Sequence, residues 1–294
     1  MSAADDSPTL PPFTGMDLDR ASTERKDAGW IDARLGDPGS RAITAGRDGV
    51  LVSDGGSGAD GGPPALARDV MPAARGGETI LLGLDGDAAL FAIDLDRLEP
   101  ADRTRAIDGY HVMGLREAGA LMAPAEAGLA AYAMAMLNWH RRHRFCANCG
   151  NATDIAEGGY TRHCPRCGAD HFPRTDPVVI MTVEHDDRML MGRRAGWPPG
   201  RLSVLAGFVS PGESAEEAVT REVQEESGII ARAPVFVASQ PWPFPASLML
   251  GFHAMSDGGE PRVSDGELDE VAWYGRDAIQ EALDGGDPGF QLPP

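Results

Sequence analysis

The stretch 207–229, GFVSPGESAEEAVTREVQEESGI, contains the clearest local folding signals in the sequence. Ser214 is followed three residues later by Glu217, which is a capping box and predicts the start of a helix. Gly228 is typical of the residue just after a helix end. Val219 and Val223 lie four residues apart and share one helix face, which we expect to pack in the core. The stretch therefore predicts a loop, a helix and a stop.

Acidic side chains border the predicted buried face of this helix. With 3.6 residues per turn, Glu222, Glu225 and Glu226 lie beside the valine stripe. Carboxylates in such a position repel one another and lose hydration, which destabilises the fold unless a cation lies between them. Clustered carboxylates are the ligands that Mg²⁺ and Mn²⁺ prefer. The alternative is a solvated acidic face paired with Arg221, and the helix by itself does not decide between the two.

The four cysteines occur as two matched pairs, Cys146-x-x-Cys149 and Cys164-x-x-Cys167. Two such turns separated by 14 residues are typical of a tetrahedral zinc site. Because four thiolates fill the coordination sphere, we expect the zinc to be structural, and it would replace the core that this short polar segment lacks. A redox dithiol is the alternative. We expect the nearby histidines to be solvated or to contact the ligands rather than the metal: His143, His163 and His171.

Composition excludes several classes of function. The chain has 294 residues and a formal net charge of −19, with 45 acidic and 26 basic side chains. A polyanion repels nucleic-acid phosphates, so we expect neither a duplex-DNA-binding protein nor a basic membrane-surface protein, and only a weak grip on the body of an RNA. No apolar run is long enough to cross a bilayer, and no secretory signal is visible, so we expect a cytoplasmic protein.

The sequence pattern predicts three parts. Residues 1–143 suggest a non-catalytic α+β domain. Residues 144–173 form the predicted zinc ribbon, and residues 174–294 predict a mixed sheet flanked by helices.

Shorter patterns predict the individual elements. Residues 1–40 suggest a loosely ordered or edge segment, and 54–64 a Gly-rich loop. Helices are predicted at 124–143 and 277–283. Strands are predicted at 50–52, 79–82, 88–93, 178–183, 189–191, 202–209, 235–238, 248–253 and 271–274.

Two motifs carry a family resemblance. The stretch 207–229 matches the pattern G-x5-E-x7-R-E-U-x-E-E-x-G-U, where U is hydrophobic, at every position, and it resembles the Nudix box of nucleoside-diphosphate-X hydrolases. The stretch 239–247, SQPWPFPAS, is similar to the motif that follows this box in the NADH pyrophosphatase family. A four-cysteine ribbon just before the catalytic domain is also typical of that family. The resemblance covers roughly residues 111–275.

The resemblance implies a fold and a reaction. The fold is a Nudix α/β/α sandwich with a mixed sheet, preceded by the ribbon and an N-terminal α+β domain, for which a Nudix-like fold is an open alternative. The reaction is hydrolysis of the pyrophosphate bond of NADH or NAD⁺ to NMN(H) and AMP, with removal of NAD caps from RNA in some members. The alternatives are a Nudix hydrolase for ADP-ribose or diadenosine polyphosphates and a non-enzymatic NAD(H)-binding or zinc-ribbon interaction module.

The resemblance also implies roles for individual residues. Catalytic Mg²⁺ or Mn²⁺ is expected on the Ala206 carbonyl, Glu222, Glu225, Glu226 and Glu267. Glu226 is expected nearest the attacking water, with Glu225 as the alternative base, and Arg221 is expected to orient the carboxylates. A homodimer is expected, because two subunits build each site in relatives. The implied substrate contacts are Arg116, Phe172, Phe208, Gln240, Pro241, Trp242, Pro243, Phe244, Pro245, Ala246 and Ser247.

Overall fold

The computed structural model describes residues 11–53, 63–70, 78–264 and 266–292. The chain forms two compact units. The first comprises Met1–Arg174 and Pro241–Ala246, and the second comprises Thr175–Gln240 and Ser247–Pro294. The predicted Gly-rich loop 54–64 lies outside the described residues except for positions 63 and 64.

The first unit is built on a mixed sheet with the strand order β3-β2-β1-β6-β5, in which β4 pairs with β1 and β7 pairs with β2. Strands β1 and β6 are parallel. The helices are α1 (Ala28–Leu35), α2 (Pro100–Ile107), α3 (Leu115–Leu121) and α4 (Pro124–Arg142). The strands are β1 (Arg41–Ala45), β2 (Val50–Ser53), β3 (Ala65–Leu66), β4 (Arg68–Val70), β5 (Thr79–Asp85), β6 (Ala88–Asp94) and β7 (His111–Met113).

Helix α4 is the central packing element of this unit. Pro124 occupies its first turn, where the missing N–H has no intrahelical partner to lose. Leu129 and Leu137 pack against Ile43 and Ile80 of the sheet. The predicted helix at 124–143 is therefore confirmed, and its apolar stripe closes one face of the sheet.

The N-terminal stretch differs from its prediction. Residues 28–35 form α1 rather than a loosely ordered segment, because the Asp27 side chain accepts hydrogen bonds from the backbone N–H groups of Gly29 and Trp30. Trp30 and Ile31 then pack against the buried Leu81 and Phe91.

The predicted zinc ribbon, residues 144–173, belongs to the first unit and contains the small sheet β10-β9-β8. Its strands are β8 (Asp154–Ala156), β9 (Thr161–His163) and β10 (Asp170–His171).

The second unit has the strand order β14-β15-β11-β12-β16, with β13 paired to β11. Strands β11 and β15 are parallel, so the sheet is mixed as predicted. The helices are α5 (Ala215–Ser227) and α6 (Arg276–Leu283). The strands are β11 (Asp176–His185), β12 (Arg188–Arg194), β13 (Leu205–Phe208), β14 (Ala231–Trp242), β15 (Ser247–Ser256) and β16 (Leu268–Gly275).

The core of the second unit lies between α5 and this sheet. Val219 and Val223, the predicted core stripe, are fully buried among Val179, Met181 and Phe252. Strand β13 is shorter than the predicted strand 202–209, whereas β14 is longer than the predicted 235–238. No helix in the described part of the chain is long and apolar enough to cross a membrane.

A buried polar network joins α4 to the ribbon. Arg162 donates from Nη1 to His140 Nδ1 at 2.9 Å and from Nε to Thr153 Oγ1 at 2.8 Å. His140 Nε2 then donates to the Gly159 carbonyl at 2.8 Å. Because Nδ1 accepts and Nε2 donates, the imidazole is neutral. Burial, together with the nearby Arg162 charge, lowers the pKa of His140 to about 4.

This network predicts an acid-sensitive step in stability. Between pH 6.5 and 4 the unfolded chain binds a proton on His140 that the folded chain does not bind. The free energy of unfolding should therefore fall by about 3 kcal/mol as the pH drops through this window. His140→Gln keeps a donor for Gly159 but has no proton to gain. Its denaturant-measured stability should therefore change less steeply over the window. If the free energy of unfolding depended equally on pH in the two proteins, the role of His140 would be contradicted. Both proteins contain the same four cysteines, so any contribution from the thiols is the same in each.

Candidate active site

Two equivalent turns carry the cysteines. The Gly150 N–H donates to the Cys146 carbonyl and the Gly168 N–H to the Cys164 carbonyl, each at 2.9 Å. Both glycines have a φ of +73°, a conformation that disfavours any side chain. The backbone N–H groups of Cys167 and Arg166 lower the pKa of Cys164 to about 6, which favours the thiolate that metals bind.

The four sulfur atoms fit a zinc ion. All lie within 4.8 Å of one another, and two Sγ–Sγ distances, Cys146 to Cys167 and Cys149 to Cys164, are 3.6 Å. A tetrahedron with Zn–S bonds of about 2.3 Å has edges of about 3.8 Å, so the cluster needs little adjustment. His171 Nε2 lies 3.3 Å from Cys146 Sγ and contacts a ligand. His163 and His143 bond elsewhere, to Asp170 and to the Trp139 carbonyl.

Zinc removal should destabilise the first unit. We expect one zinc per chain by elemental analysis, and chelation should lower the Tm by roughly 10 °C because the ribbon has little core of its own. Added zinc should restore the wild type but not Cys164→Ser. A chelated protein that has lost its zinc and keeps its Tm would contradict a structural role.

The predicted loop, helix and stop of stretch 207–229 are confirmed. The Glu217 N–H donates to Ser214 Oγ at 3.2 Å, and the Ser214 N–H donates to Glu217 Oε2 at 2.7 Å, which completes the capping box. Gly228 ends α5 with a φ of +71°. Helix α5 thus holds its acidic side chains on a rigid, well-capped element.

Arg221 organises the carboxylates of this stretch. It donates to Glu213 at 2.6 and 3.0 Å, to Glu222 at 2.8 Å and to Glu225 at 2.8 Å, and its Nη2 also donates to the Phe208 carbonyl at 2.9 Å. The hydrogen bonds from Arg221 lower the pKa of Glu213 to about 2. The sequence analysis assigned no role to Glu213, although this residue is the first fixed glutamate of the Nudix-box pattern.

The box glycine makes room for Glu222. A Cβ at position 207 would overlap the Glu222 carboxylate, so only glycine allows this side chain to lie against β13. Burial raises the pKa of Glu222, Arg221 opposes that shift, and the negative charges of Glu225 and Glu267 add to it. A cation beside this carboxylate would offset the cost of burying its charge.

An open cleft of about 980 Å³ runs along α5 and brings Arg221, Glu225 and Glu267 together. Glu226 lies on the buried side of the same helix and is only 5% exposed. Arg221 bonds to three carboxylates, those of Glu213, Glu222 and Glu225, and Glu267 lines the same cleft. Carboxylate oxygens are the ligands that a divalent cation prefers. Among the residues that the structure describes, however, the four cysteines are the one group whose ligand atoms already lie close enough together to hold a metal ion. The Ala206 carbonyl belongs to β13, the strand that lies beside α5.

The other predicted substrate contacts are divided between the two units. Phe208, Gln240 and Ser247 belong to the second unit. Phe172 belongs to the first, and its ring is 66% exposed, while that of Phe208 is 59% exposed, so both are available for stacking.

The predicted aromatic loop also has a packing role. The rings of Trp242 and Phe244 each lie 6.2 Å from the ring of Phe13, edge to face, and Arg116 lies 4.3 Å over the Phe244 ring. The remaining predicted contacts of this loop also belong to the first unit: Pro241, Pro243, Pro245 and Ala246.

Comparison with known proteins decides the family. The NUDIX domain model matches residues 173–290, the NADH pyrophosphatase zinc ribbon model residues 141–172, and the NADH pyrophosphatase-like rudimentary NUDIX model residues 39–139. The NAD-capped RNA hydrolase NudC of Mycobacterium bovis is 38% identical over 95% of this chain and 87% of its own length. The chain belongs to the NADH pyrophosphatase family of the Nudix hydrolase superfamily.

Eukaryotic members of this Nudix family are similar as well. The human NAD-capped RNA hydrolase NUDT12 is 40% identical over 71% of this chain, and the match spans about half, 48%, of the human protein. The NUDT12 of Macaca fascicularis is 34% identical over 96% of this chain and 70% of its own length. The three matched domains follow one another along the chain in the order rudimentary Nudix, zinc ribbon and Nudix.

Proposed function

We propose that this chain hydrolyses the pyrophosphate bond of NADH and NAD⁺ to NMN(H) and AMP, and that it removes NAD caps from RNA. The observation that carries the proposal is the carboxylate cluster that Arg221 organises on α5 beside an open cleft. Membership of the NADH pyrophosphatase family supports it. The names of the relatives, NAD-capped RNA hydrolases, support the second substrate.

Mg²⁺ or Mn²⁺ would be held by Glu222, Glu225, Glu226, Glu267 and the Ala206 carbonyl. When bound, such ions offset the charge of a diphosphate and lower the pKa of a coordinated water. Arg221 keeps the carboxylates oriented through charge-assisted hydrogen bonds.

We assign the role of proton acceptor to Glu226, with Glu225 as the alternative. Glu226 is the more buried of the two, whereas Glu225 is exposed and bonded to Arg221. Arg221 already occupies the Glu225 carboxylate, which makes Glu225 the poorer acceptor for a proton from water.

Substrate recognition is proposed for the exposed rings of Phe172 and Phe208, which can stack on a nicotinamide or a base. Arg116, Gln240 and Ser247 remain predicted contacts. The match to separate domain models supports a division into an N-terminal domain at 1–143, a ribbon at 144–173 and a Nudix domain at 174–294. A four-cysteine metal cluster is typical of a reducing compartment, and we infer a cytoplasmic location.

Glu226→Gln should lower kcat for NADH by about 10³-fold, because the amide cannot accept the proton. Glu225→Gln should cost about tenfold, since it weakens metal binding and the pair with Arg221 but leaves the base. NMNH and AMP would be quantified with Mg²⁺, with Mn²⁺ and with chelator.

The matched control for these variants is Glu281→Gln, which changes an exposed glutamate of α6 and should keep the wild-type rate. The reverse ranking, with Glu225→Gln the more damaging, would move the base to Glu225. A higher kcat/KM for ADP-ribose or diadenosine polyphosphates than for NADH would overturn the substrate assignment.

We also propose a homodimer that uses β14. This strand lies at the edge of the sheet and exposes three consecutive apolar side chains, Val235, Phe236 and Val237. An exposed apolar edge strand is a liability in a monomer and is typical of an interface.

The double variant Val235→Lys/Val237→Lys should shift the protein from dimer to monomer, because it puts four like charges across a symmetric contact. Sedimentation equilibrium should report twice the chain mass of 31.1 kDa for the wild type and a single chain mass for the variant. Val263→Lys, at an exposed valine outside the sheet, should remain dimeric. A wild type that sediments as a monomer would refute the proposal.

A further inference from the structure

Strand β16 of the second unit is irregular at its start, close to the carboxylate cleft. Arg193 of β12 lies opposite Glu270 of β16. The next residue of β12, Arg194, lies opposite Leu268. Asp269 is therefore the extra residue of a β-bulge. Bulges are common beside active sites, where they redirect a side chain.

The bulge changes which side chains share a face of the sheet. Leu268 is buried in the core that α5 covers, and Val271 packs against the same core. In a regular strand, two residues three positions apart point to opposite faces. The bulge also lets the adjacent side chains of Asp269 and Glu270 approach one guanidinium, that of Arg193.

Arg193 holds the bulge from the neighbouring strand. Its Nη1 donates to Asp269 Oδ2 at 2.9 Å, and its Nε lies 3.6 Å from Glu270 Oε2. Nη1 also donates to the Trp197 carbonyl at 3.3 Å. Two adjacent carboxylates that approach the same point repel each other, so the bulge is stabilised by the positive charge of Arg193.

The same end of β12 is bonded to Glu267. The Ala195 N–H, two residues after Arg193, donates to the Glu267 carbonyl at 3.0 Å. Glu267 directly precedes β16 and lines the cleft along α5 together with Glu225. Its negative charge also acts on the Glu222 carboxylate. The place of Glu267 in the cleft therefore depends on how the ends of β12 and β16 are joined.

We propose that Arg193 is a positioning residue, which holds the bulge at Asp269 and so fixes Glu267 at the edge of the cleft. This inference rests on the proposed function, in which Glu267 is a ligand of the catalytic cation. The contacts of Arg193 described above are made with β16 and with Trp197, so its effect on the cleft is transmitted through Glu267.

Charge and position predict opposite effects when this arginine is removed. As a positive charge, Arg193 repels a cation, so its loss would by Coulomb's law alone strengthen cation binding. As a positioning residue, it keeps a ligand in place, so its loss should weaken cation binding. Removal of a group that orients a metal ligand typically costs roughly 10–100-fold in metal affinity. The direction of the change therefore distinguishes the two effects.

The first test uses the zinc-loaded protein with Mn²⁺ as the probe, and free Mn²⁺ is measured by electron paramagnetic resonance. Arg193→Met removes the charge and should raise the Kd for Mn²⁺ about tenfold. Arg193→Lys keeps a charge beside Asp269 and should stay closer to the wild type. The matched control is Arg188→Met, at the other end of β12, which should bind Mn²⁺ as the wild type does.

A double variant tests whether Arg193 acts through Glu267. Glu267→Gln removes a charged ligand and should itself weaken Mn²⁺ binding. Adding Arg193→Met to Glu267→Gln should cause little further loss, because the side chain that Arg193 positions is no longer a charged ligand. Losses that add fully would show that Arg193 acts elsewhere and would overturn the proposal.

Hydrogen exchange in Mn²⁺-free protein gives a readout that needs no bound cation. The amide of Ala195 should exchange about tenfold faster in Arg193→Met, since two ion pairs of modest strength are lost together. Arg188→Met should leave this amide unchanged. Unchanged exchange at Ala195 in Arg193→Met would overturn the proposal. Faster exchange with unchanged Mn²⁺ affinity would limit Arg193 to a structural role in the strand and would also overturn it.

Activity separates this inference from the proposed function. In Arg193→Met, the Mn²⁺ concentration for half-maximal NADH hydrolysis should rise about tenfold, while kcat at saturating Mn²⁺ stays close to the wild-type value. A wild type that binds Mn²⁺ but does not hydrolyse NADH would refute the proposed function and leave the positioning role standing. Tighter Mn²⁺ binding by Arg193→Met would refute the positioning role and leave the proposed reaction standing. A wild type that binds no Mn²⁺ would refute both.

Discussion

The set of hydrogen bonds from Arg221 to three carboxylates is the constraint on which the site depends. One guanidinium holds Glu213, Glu222 and Glu225 at 2.6 to 3.0 Å and also binds the Phe208 carbonyl. Without this cation the glutamates would repel one another. With it, Glu222 and Glu225 of the capped helix and Glu213 of the preceding loop are held together. They still carry more negative charge than a single arginine can balance, which leaves room for a divalent ion.

The sequence predicted this helix well because its signals are local. The capping box, the glycine at the helix end and the two buried valines of α5 all act within one or two turns. The overlap that excludes a side chain at position 207 could not be predicted in the same way. It arises because the Glu222 carboxylate lies against the backbone of Gly207 in β13. The sequence carries no local signal for this contact. The same holds for Glu213, whose partner Arg221 lies eight residues away across a loop.

The composition of the N-terminal stretch led to a wrong prediction for residues 28–35. Asp and Gly residues there suggest a loose segment, but Asp27 caps α1, and Trp30 and Ile31 supply a short apolar stripe. In the aromatic loop, the alternation of proline with aromatic residues predicted rigid ring faces. It did not predict that Trp242 and Phe244 would pack on Phe13, because a contact between residues so distant in sequence leaves no local pattern.

Because Pro241–Ala246 belong to the first unit, that unit depends on a late part of the chain when it folds during translation. A ribosome releases Met1–Arg174 long before these six residues, and residues 175–240 are synthesised in between. Until then the ring of Phe13 lacks two of its aromatic neighbours, and the core of the N-terminal unit is incomplete. N-terminal domains usually fold first during synthesis. Here the first unit cannot finish folding until most of the second unit has emerged from the ribosome.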